Sequence, residues 1–310
     1  MKQLFEISRV AGKYPADQVT SIFDKFGVVV LKEYLPKSIR QALRTALTNK
    51  LERSRARGNV IKYDRYPWAD FLLGDVLSIR ELESYDYIFF RSELIEVFKN
   101  ALRTPELVYY GDSSTQFDAA ERGYHKDNTE RYDANSNDWV GDYGILRAAF
   151  YCEDHSGHSG GLKVRIGSHN VDACRSKLDP NKISAQLGKP VDIRSEFGDL
   201  VFWNMRLTHS GNFRKLRFLP QLVLHPRLEM ALPNMLFMPE QDRRYFLSCA
   251  FARPGVHLDC YIEKFDSRAA EVRRYLETAR RPQEVALFLA ARGVTFRKPV
   301  DYFGIDDNDA

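Results

Sequence analysis

From about residue 106 to 226 the chain is a succession of short β-branched and aromatic runs separated by Gly, Asn and Asp turns: ILRAAFYCED, GGLKVRIGS, VDIRSEF, DLVFWN and RFLPQLVLH. No other feature constrains the fold as much. Runs this short, bounded by turn formers, read as strands of an all-β barrel or sandwich. The flanks differ. Val19, Ile22, Phe23 and Phe26 fall at helical spacing and Gly27 closes the run, which predicts a helix over 17–26. GVVVLKEYLP (27–36) reads as a strand, and Ser38 is placed to cap a helix over about 38–54. Residues 55–75 read as loops with short elements, 84–102 as a helix over its second half, and ELVYYGDSS (106–114) as a strand. Beyond 226 one more strand is expected at YFLSCAFA, then helices over 265–281 and 282–293 and a frayed tail. No repeat, low-complexity tract or interdomain linker interrupts the chain. The expectation is one domain over 1–310, of mainly β core with flanking helices (α+β). It comprises a β core at about 106–226, an N-terminal segment 1–105 and a C-terminal helical extension 227–310.

Composition narrows the function classes. A hydrophobic content of 44% with 13% aromatic residues is ample for a core. No stretch approaches the roughly 20 apolar residues of a membrane helix, and MKQLFEISRVAGKYP lacks the apolar region and cleavage site of a secretory signal. A cytoplasmic location and no membrane insertion are the expectations. The net charge of +4 is mild and the basic residues are dispersed. Nucleic acid is therefore not expected as a partner, while a small substrate, anionic ones included, is compatible. Cys152, Cys174, Cys249 and Cys260 form no CxxC pair or zinc spacing and read as ordinary reduced thiols.

GYHKDNTERYD (123–133) carries the chemistry. In an extended segment side chains alternate, so His125 and Asp127 project to one side and Lys126 to the other. A third ligand must come from elsewhere, and His209 in GDLVFWNMRLTHSGN is available. Two neutral imidazoles and a carboxylate form the facial triad of non-haem iron(II) oxygenases, leaving coordination positions for a co-substrate and O2. The same three donors also suit zinc, so a zinc hydrolase stays open. Alone a His-x-Asp tripeptide says little. His155, His158, His169, His225 and His257 read as surface or supporting residues.

The surroundings are more specific. YHKD (124–127), LRAAFYCEDHSGHSGGLKVRIGSH (146–169), GDLVFWNMRLTHSGN (198–212) and Arg217 opening a strand occur in the order of landmarks of the phytanoyl-CoA dioxygenase family. FDKFGVVVLKEYLPKSIRQALRTAL (23–47) is similar to that family's entry segment. The chain resembles that family over about two thirds of its length. The resemblance implies a double-stranded β-helix (jelly-roll, cupin-like) barrel. It implies Fe(II) held by His125, Asp127 and His209, with 2-oxoglutarate and O2 as co-substrates. Arg217 would hold the far carboxylate of 2-oxoglutarate, with Arg214 as the competing choice, because a guanidinium matches a carboxylate bidentately.

Ser210, next to the distal histidine, is a further candidate contact, although strand alternation turns it away from the ligand side. Arg147 and Arg165 sit in barrel strands, where either points inward to an anionic substrate or co-substrate or outward to water, and Arg147 is a further candidate contact for 2-oxoglutarate.

The implied reaction is hydroxylation of an unactivated C–H bond, with 2-oxoglutarate decarboxylated to succinate. The same site also serves for desaturation or ring closure. The carboxylate at Asp127 argues against halogenation, since related halogenases carry a small residue there. A silent β-helix binding protein is the alternative from another class. Loops at the barrel mouth would set the substrate, and YDRYPWADF (63–71) and Trp139 are lid candidates.

Overall fold

A computed structural model describes residues 3–58, 60–63, 66–73, 88–118, 123–130, 133, 135–170, 188–240, 244–263 and 282–297. In chain order the strands are β1 (Glu6–Ile7), β2 (Val28–Leu31), β3 (Ile61–Tyr63), β4 (Tyr66–Leu73), β5 (Leu107–Phe117), β6 (Ile145–Tyr151) and β7 (Gly161–Arg165). They continue with β8 (Pro190–Asp192), β9 (Leu200–Asn204), β10 (His209–Phe213), β11 (Tyr245–Ala252) and β12 (Val294–Phe296). The helices are α1 (Ala16–Phe26), α2 (Lys37–Ala56), α3 (Ser92–Leu102), α4 (Pro226–Ala231), α5 (Val256–Glu263) and α6 (Pro282–Ala290).

Two sheets face each other. The larger runs β1-β2-β9-β6-β11-β5-β4-β3, with β12 added beside β5, and the smaller runs β10-β7-β8. The period of two along each strand separates two cores. Leu146, Ala148 and Phe150 of β6, with Leu200 and Phe202 of β9, face outward onto helices α1, α2 and α3. Ala149 and Tyr151 of β6, with Val201 and Trp203 of β9 and Phe246 of β11, face inward toward Leu162 and Val164 of β7. The inward layer is the barrel interior.

The outer layer is rich in aromatics: Phe202 lies 5.5 Å from Phe23 and 5.3 Å edge-on from Phe98. Truncating a fully buried ring at this junction of helix and sheet leaves a cavity as well as losing transfer energy. Phe202→Ala is expected to destabilise the fold by about 3–5 kcal/mol, read from urea unfolding midpoints.

Several expectations hold and others are corrected. Helices at 16–26, 37–56 and 92–102 and the strand at 28–31 lie where the sequence places them. Helix α2 begins after Pro36 rather than on a Ser38 cap, and no side chain caps it. Within 55–75 the short elements are strands, 61–63 and 66–73, which form a hairpin extending the large sheet through β5. RFLPQLVLH (217–225) forms no strand; it opens an insertion between β10 and β11 that carries α4. Strand β11, expected beyond the core, pairs with β5 and β6 in the middle of the large sheet. The β core therefore runs from Leu107 to Ala252. The helix expected over 265–281, the frayed tail and Cys174 lie outside the described residues.

Gly27 ties a flanking helix to the part of the barrel that carries the site. It closes α1 with φ 73°, a left-handed conformation that glycine adopts without strain. Its carbonyl accepts from Asn204 N at 2.9 Å, and a Cβ there would lie 2.4 Å from His169 Nδ1.

Candidate metal centre

Strand β9 ends at Asn204, and a tight turn carries the chain into β10. Leu207 N donates to Asn204 O at 2.8 Å, and Asn204 Oδ1 accepts from Arg206 N at 2.9 Å. Arg206 is fully buried, its guanidinium donating to the carbonyls of Asp138 at 2.5 Å and Gly141 at 2.8 Å and lying over the Tyr143 ring at 4.7 Å. The turn is thus pinned from below, and His209 is the first residue after it in β10.

His125 meets it across a single antiparallel bridge. Each residue's N–H donates to the other's carbonyl at 2.9 Å. Asp127 N and Asn128 N both donate to Met205 O, at 2.9 and 3.2 Å. Lys126 points the other way, as alternation requires, and donates to Ser168 O at 2.7 Å and Arg206 O at 2.5 Å. Asp138 Oδ2 then accepts from Asn128 Nδ2 at 3.1 Å and Glu130 N at 2.8 Å, fixing the chain just after Asp127. Backbone and buried polar contacts therefore hold all three side chains from outside the ligand face.

His125, Asp127 and His209 offer ligand atoms that all lie within 4.8 Å of one another. His125 Nε2 is 3.7 Å from Asp127 Oδ1, and His209 Nε2 is 3.6 Å from Asp127 Oδ2. Three facial ligands at bond lengths of about 2.1 Å stand roughly 3 Å apart, so the three donors need to draw inward to hold one ion. The Nδ1 atoms are both engaged, His125 on Gly123 O at 3.0 Å and His209 on Leu207 O at 3.0 Å. A carbonyl can only accept, so each Nδ1 carries the proton and each Nε2 presents a lone pair toward the cluster. Burial, opposed by the Asp127 carboxylate, pulls His209 down to about 4, and its imidazole is neutral at pH 7. Two neutral Nε2 donors and a carboxylate fit a divalent iron ion.

The other candidates are placed as follows. Arg217 is exposed, and its guanidinium donates to Phe237 O at 3.3 Å, away from the triad. Arg214 is buried in the β10–β11 insertion, on Glu229 O and Asn234 Oδ1 at 2.7 Å each and over the Phe237 ring. Ser210 lies on the face opposite His209, in register with Lys163. Arg165 stacks on Tyr124 at 4.6 Å on that same outer face of the small sheet. Arg147 turns inward: its Nε donates to Asp127 Oδ2 at 3.1 Å. Trp139 is no lid; it is buried, with Nε1 donating to Glu130 O at 3.1 Å. The other histidines serve structure: His155 pairs with Ser195 at 3.1 Å, and His225 caps α4.

Sequence reasoning missed Arg244. It immediately precedes β11, and the period of two puts it on the inward face with Phe246. Its Nε donates to Gly160 O at 3.0 Å, and its guanidinium lies 5.4 Å from the Tyr151 ring and 5.2 Å from that of Phe246. Beside it, burial pushes Tyr151 up to about 12 against the pull of Arg244, and burial pushes Glu153 up to about 8. Glu153 is thus largely neutral at pH 7, and the guanidinium dominates the local charge. In the same interior, Trp203 Nε1 is buried with no hydrogen-bond partner among the described residues, its ring 5.3 Å from that of His209.

No protein-family model matches the chain, and no curated protein matches it by sequence. Solved structures do match in shape. AviO1 from Streptomyces viridochromogenes Tue57 superposes with a TM-score of 0.51 at 17% identity, over 78% of this chain and 96% of its own. The fold is the double-stranded β-helix. SnoK, a non-haem α-ketoglutarate-dependent carbocyclase from nogalamycin biosynthesis, superposes with a TM-score of 0.51 at 13% identity, over 80% of this chain and 93% of its own. EctD from S. alaskensis, solved with 2-oxoglutarate and 5-hydroxyectoine, gives 0.51 at 14% identity, over 81% of each chain. At these identities the likeness is one of fold. Among the described residues no helix is long and apolar enough to cross a membrane.

Proposed function

We propose that this chain is an Fe(II)- and 2-oxoglutarate-dependent oxygenase that hydroxylates an unactivated C–H bond of a small molecule. The observation that carries the reading is the convergence of His125, Asp127 and His209, with both Nδ1 atoms committed to backbone carbonyls and both Nε2 atoms left as donors. When bound, iron supplies redox chemistry with O2 that no side chain here can perform, coupled to decarboxylation of 2-oxoglutarate to succinate.

The chain's own residues do the holding and orienting. Three protein ligands on one face leave the remaining positions to co-substrates. We assign the far carboxylate of 2-oxoglutarate to Arg244 and Tyr151, in place of Arg217 and Arg214. The strand pairs support this: Ala250 faces Arg147, whose guanidinium touches Asp127, and Phe246 faces Tyr151. Four residues of β6 span about 13 Å at strand rise. Arg244 stands at the Tyr151 end of that interval, and we assign the span between it and the triad to the five-carbon dicarboxylate. Trp203 Nε1 supplies a further donor in the interior, and the inward apolar side chains Leu162 and Val164 exclude water from it.

The test is anaerobic reconstitution with Fe(II), then exposure to air with 2-oxoglutarate and pooled small metabolites. Succinate should form only when both Fe(II) and 2-oxoglutarate are supplied, and mass spectrometry should find a product one oxygen heavier. A product lighter by two hydrogens redirects the outcome to desaturation or ring closure at the same site. A zinc hydrolase or a silent binding protein releases no succinate under any of these conditions.

A further inference from the structure

Asp127 is the only carboxylate of the proposed metal ligands, and one of its two oxygens is already in use. Arg147 Nε donates to Asp127 Oδ2 at 3.1 Å. The other edge of the same guanidinium grips Asp112 on β5, Nη1 to Oδ1 at 3.3 Å and Nη2 to Oδ2 at 2.6 Å. Tyr261 of α5 donates to Asp112 Oδ2 at 2.9 Å. Its ring meets Tyr110 edge-on at 5.4 Å, and the Tyr110 hydroxyl lies 3.8 Å from Met205 Sδ. Met205 closes the circuit, because its carbonyl accepts from Asp127 N. Asp127 is therefore held at its backbone and at its carboxylate by one connected, buried cluster drawn from β5, β6, α5 and the turn that leads to His209.

We propose that Arg147, clamped by Asp112 and Tyr261, is the positioning residue that makes Asp127 a one-oxygen metal ligand. The inference rests on the oxygenase reading and deepens it. With Oδ2 engaged by Arg147, Oδ1, 3.7 Å from His125 Nε2, is the oxygen that would bind the ion, and a second carboxylate bond that would fill a co-substrate position is disfavoured. Asp112 has a separate part. An arginine bonded to Asp127 alone would draw charge from the ligand and weaken it as a donor. A second carboxylate on the far edge offsets that charge, so the group Asp112–Arg147–Asp127 presents a net −1 to the ion. Lysine cannot replace it, since one ammonium lacks the two edges that reach both carboxylates.

The readout is metal affinity, not turnover. The unmodified protein, Arg147→Lys, Asp112→Asn and Tyr261→Phe are titrated anaerobically with Co(II) by calorimetry, and the Co(II) visible spectrum is recorded alongside thermal melts. The unmodified chain is expected to bind one ion. Arg147→Lys should weaken binding by about 10- to 100-fold and Asp112→Asn by about 10-fold, each with an altered Co(II) band, while Tyr261→Phe gives a smaller loss. Folded variants that bind Co(II) with unmodified affinity and spectrum overturn the proposal. If Arg147→Lys does not fold, Asp112→Asn and Tyr261→Phe decide it on the same criterion. An unmodified chain that binds no Co(II) overturns the oxygenase reading itself, which separates the two failures.

Discussion

His209→Ala is expected to eliminate succinate formation, by at least about 10³-fold, while the protein stays folded. The size of the effect follows from the donor set. Among the described residues three protein atoms would hold the ion, so losing one removes a third of that hold and opens a face meant to be closed. Metal affinity should fall by well over the roughly 10–100-fold typical of losing an outer-shell partner, because a ligand itself is gone. The fold should tolerate the change. The bridge to His125 runs through backbone groups and survives, as does the turn held by Asn204 and Arg206. What is lost is packing against Trp203 and the hydrogen bond from Nδ1 to Leu207 O, a cost of about 1–2 kcal/mol. Co(II) titration, succinate assays and urea unfolding on the same preparations check all three parts. His125→Ala and Asp127→Ala should behave alike. Retained turnover in any of the three, with Fe(II) and 2-oxoglutarate still required, would contradict the assignment.

What the sequence discloses about this site is local, and what it hides is set by register and by insertion. His125 and Asp127 are legible because their relation is a spacing of two on one extended segment. His209 follows because it opens a strand after a Gly-Asp-initiated one, and short β elements make such a return close in space. Arg147 sits mid-strand in a run hydrophobic on both faces, so the sequence leaves its orientation open, and only pairing against β11 settles it inward. Arg217 drew attention because RFLPQLVLH has the composition of a strand. Pro220 and the packing of Arg214 on Phe237 instead make this stretch part of an insertion. The next strand after that insertion is Tyr245–Ala252, which pairs with both β5 and β6. The arginine proposed for the co-substrate precedes β11 at position 244 rather than opening RFLPQLVLH. The hairpin at 61–73 was hidden for another reason: its mixed composition suits an edge extension, whose pairing comes from β5 rather than from its own alternation.

The same logic gives the second large effect. Arg244→Ala is expected to raise the 2-oxoglutarate concentration needed for half-maximal succinate formation by at least about 10²-fold, with Co(II) affinity nearly unchanged. A buried charge-assisted bond to a carboxylate contributes several times what an exposed ion pair does, and its loss leaves the carboxylate of the co-substrate in an apolar wall of Tyr151, Phe246 and Leu162. The effect therefore falls on co-substrate affinity, while Arg147, which touches Asp127 and stands four residues from Tyr151 along β6, keeps its geometry. Arg244→Lys should recover only part, because a single ammonium cannot offer the fork. Tyr151→Phe should shift the requirement in the same direction by a smaller factor. Arg217→Ala is the discriminating control. Its side chain is exposed and donates to a backbone carbonyl, so its removal should leave the 2-oxoglutarate requirement where it was. If Arg217→Ala raises that requirement steeply and Arg244→Ala does not, the anion site belongs to the β10–β11 insertion and the barrel interior must be read again.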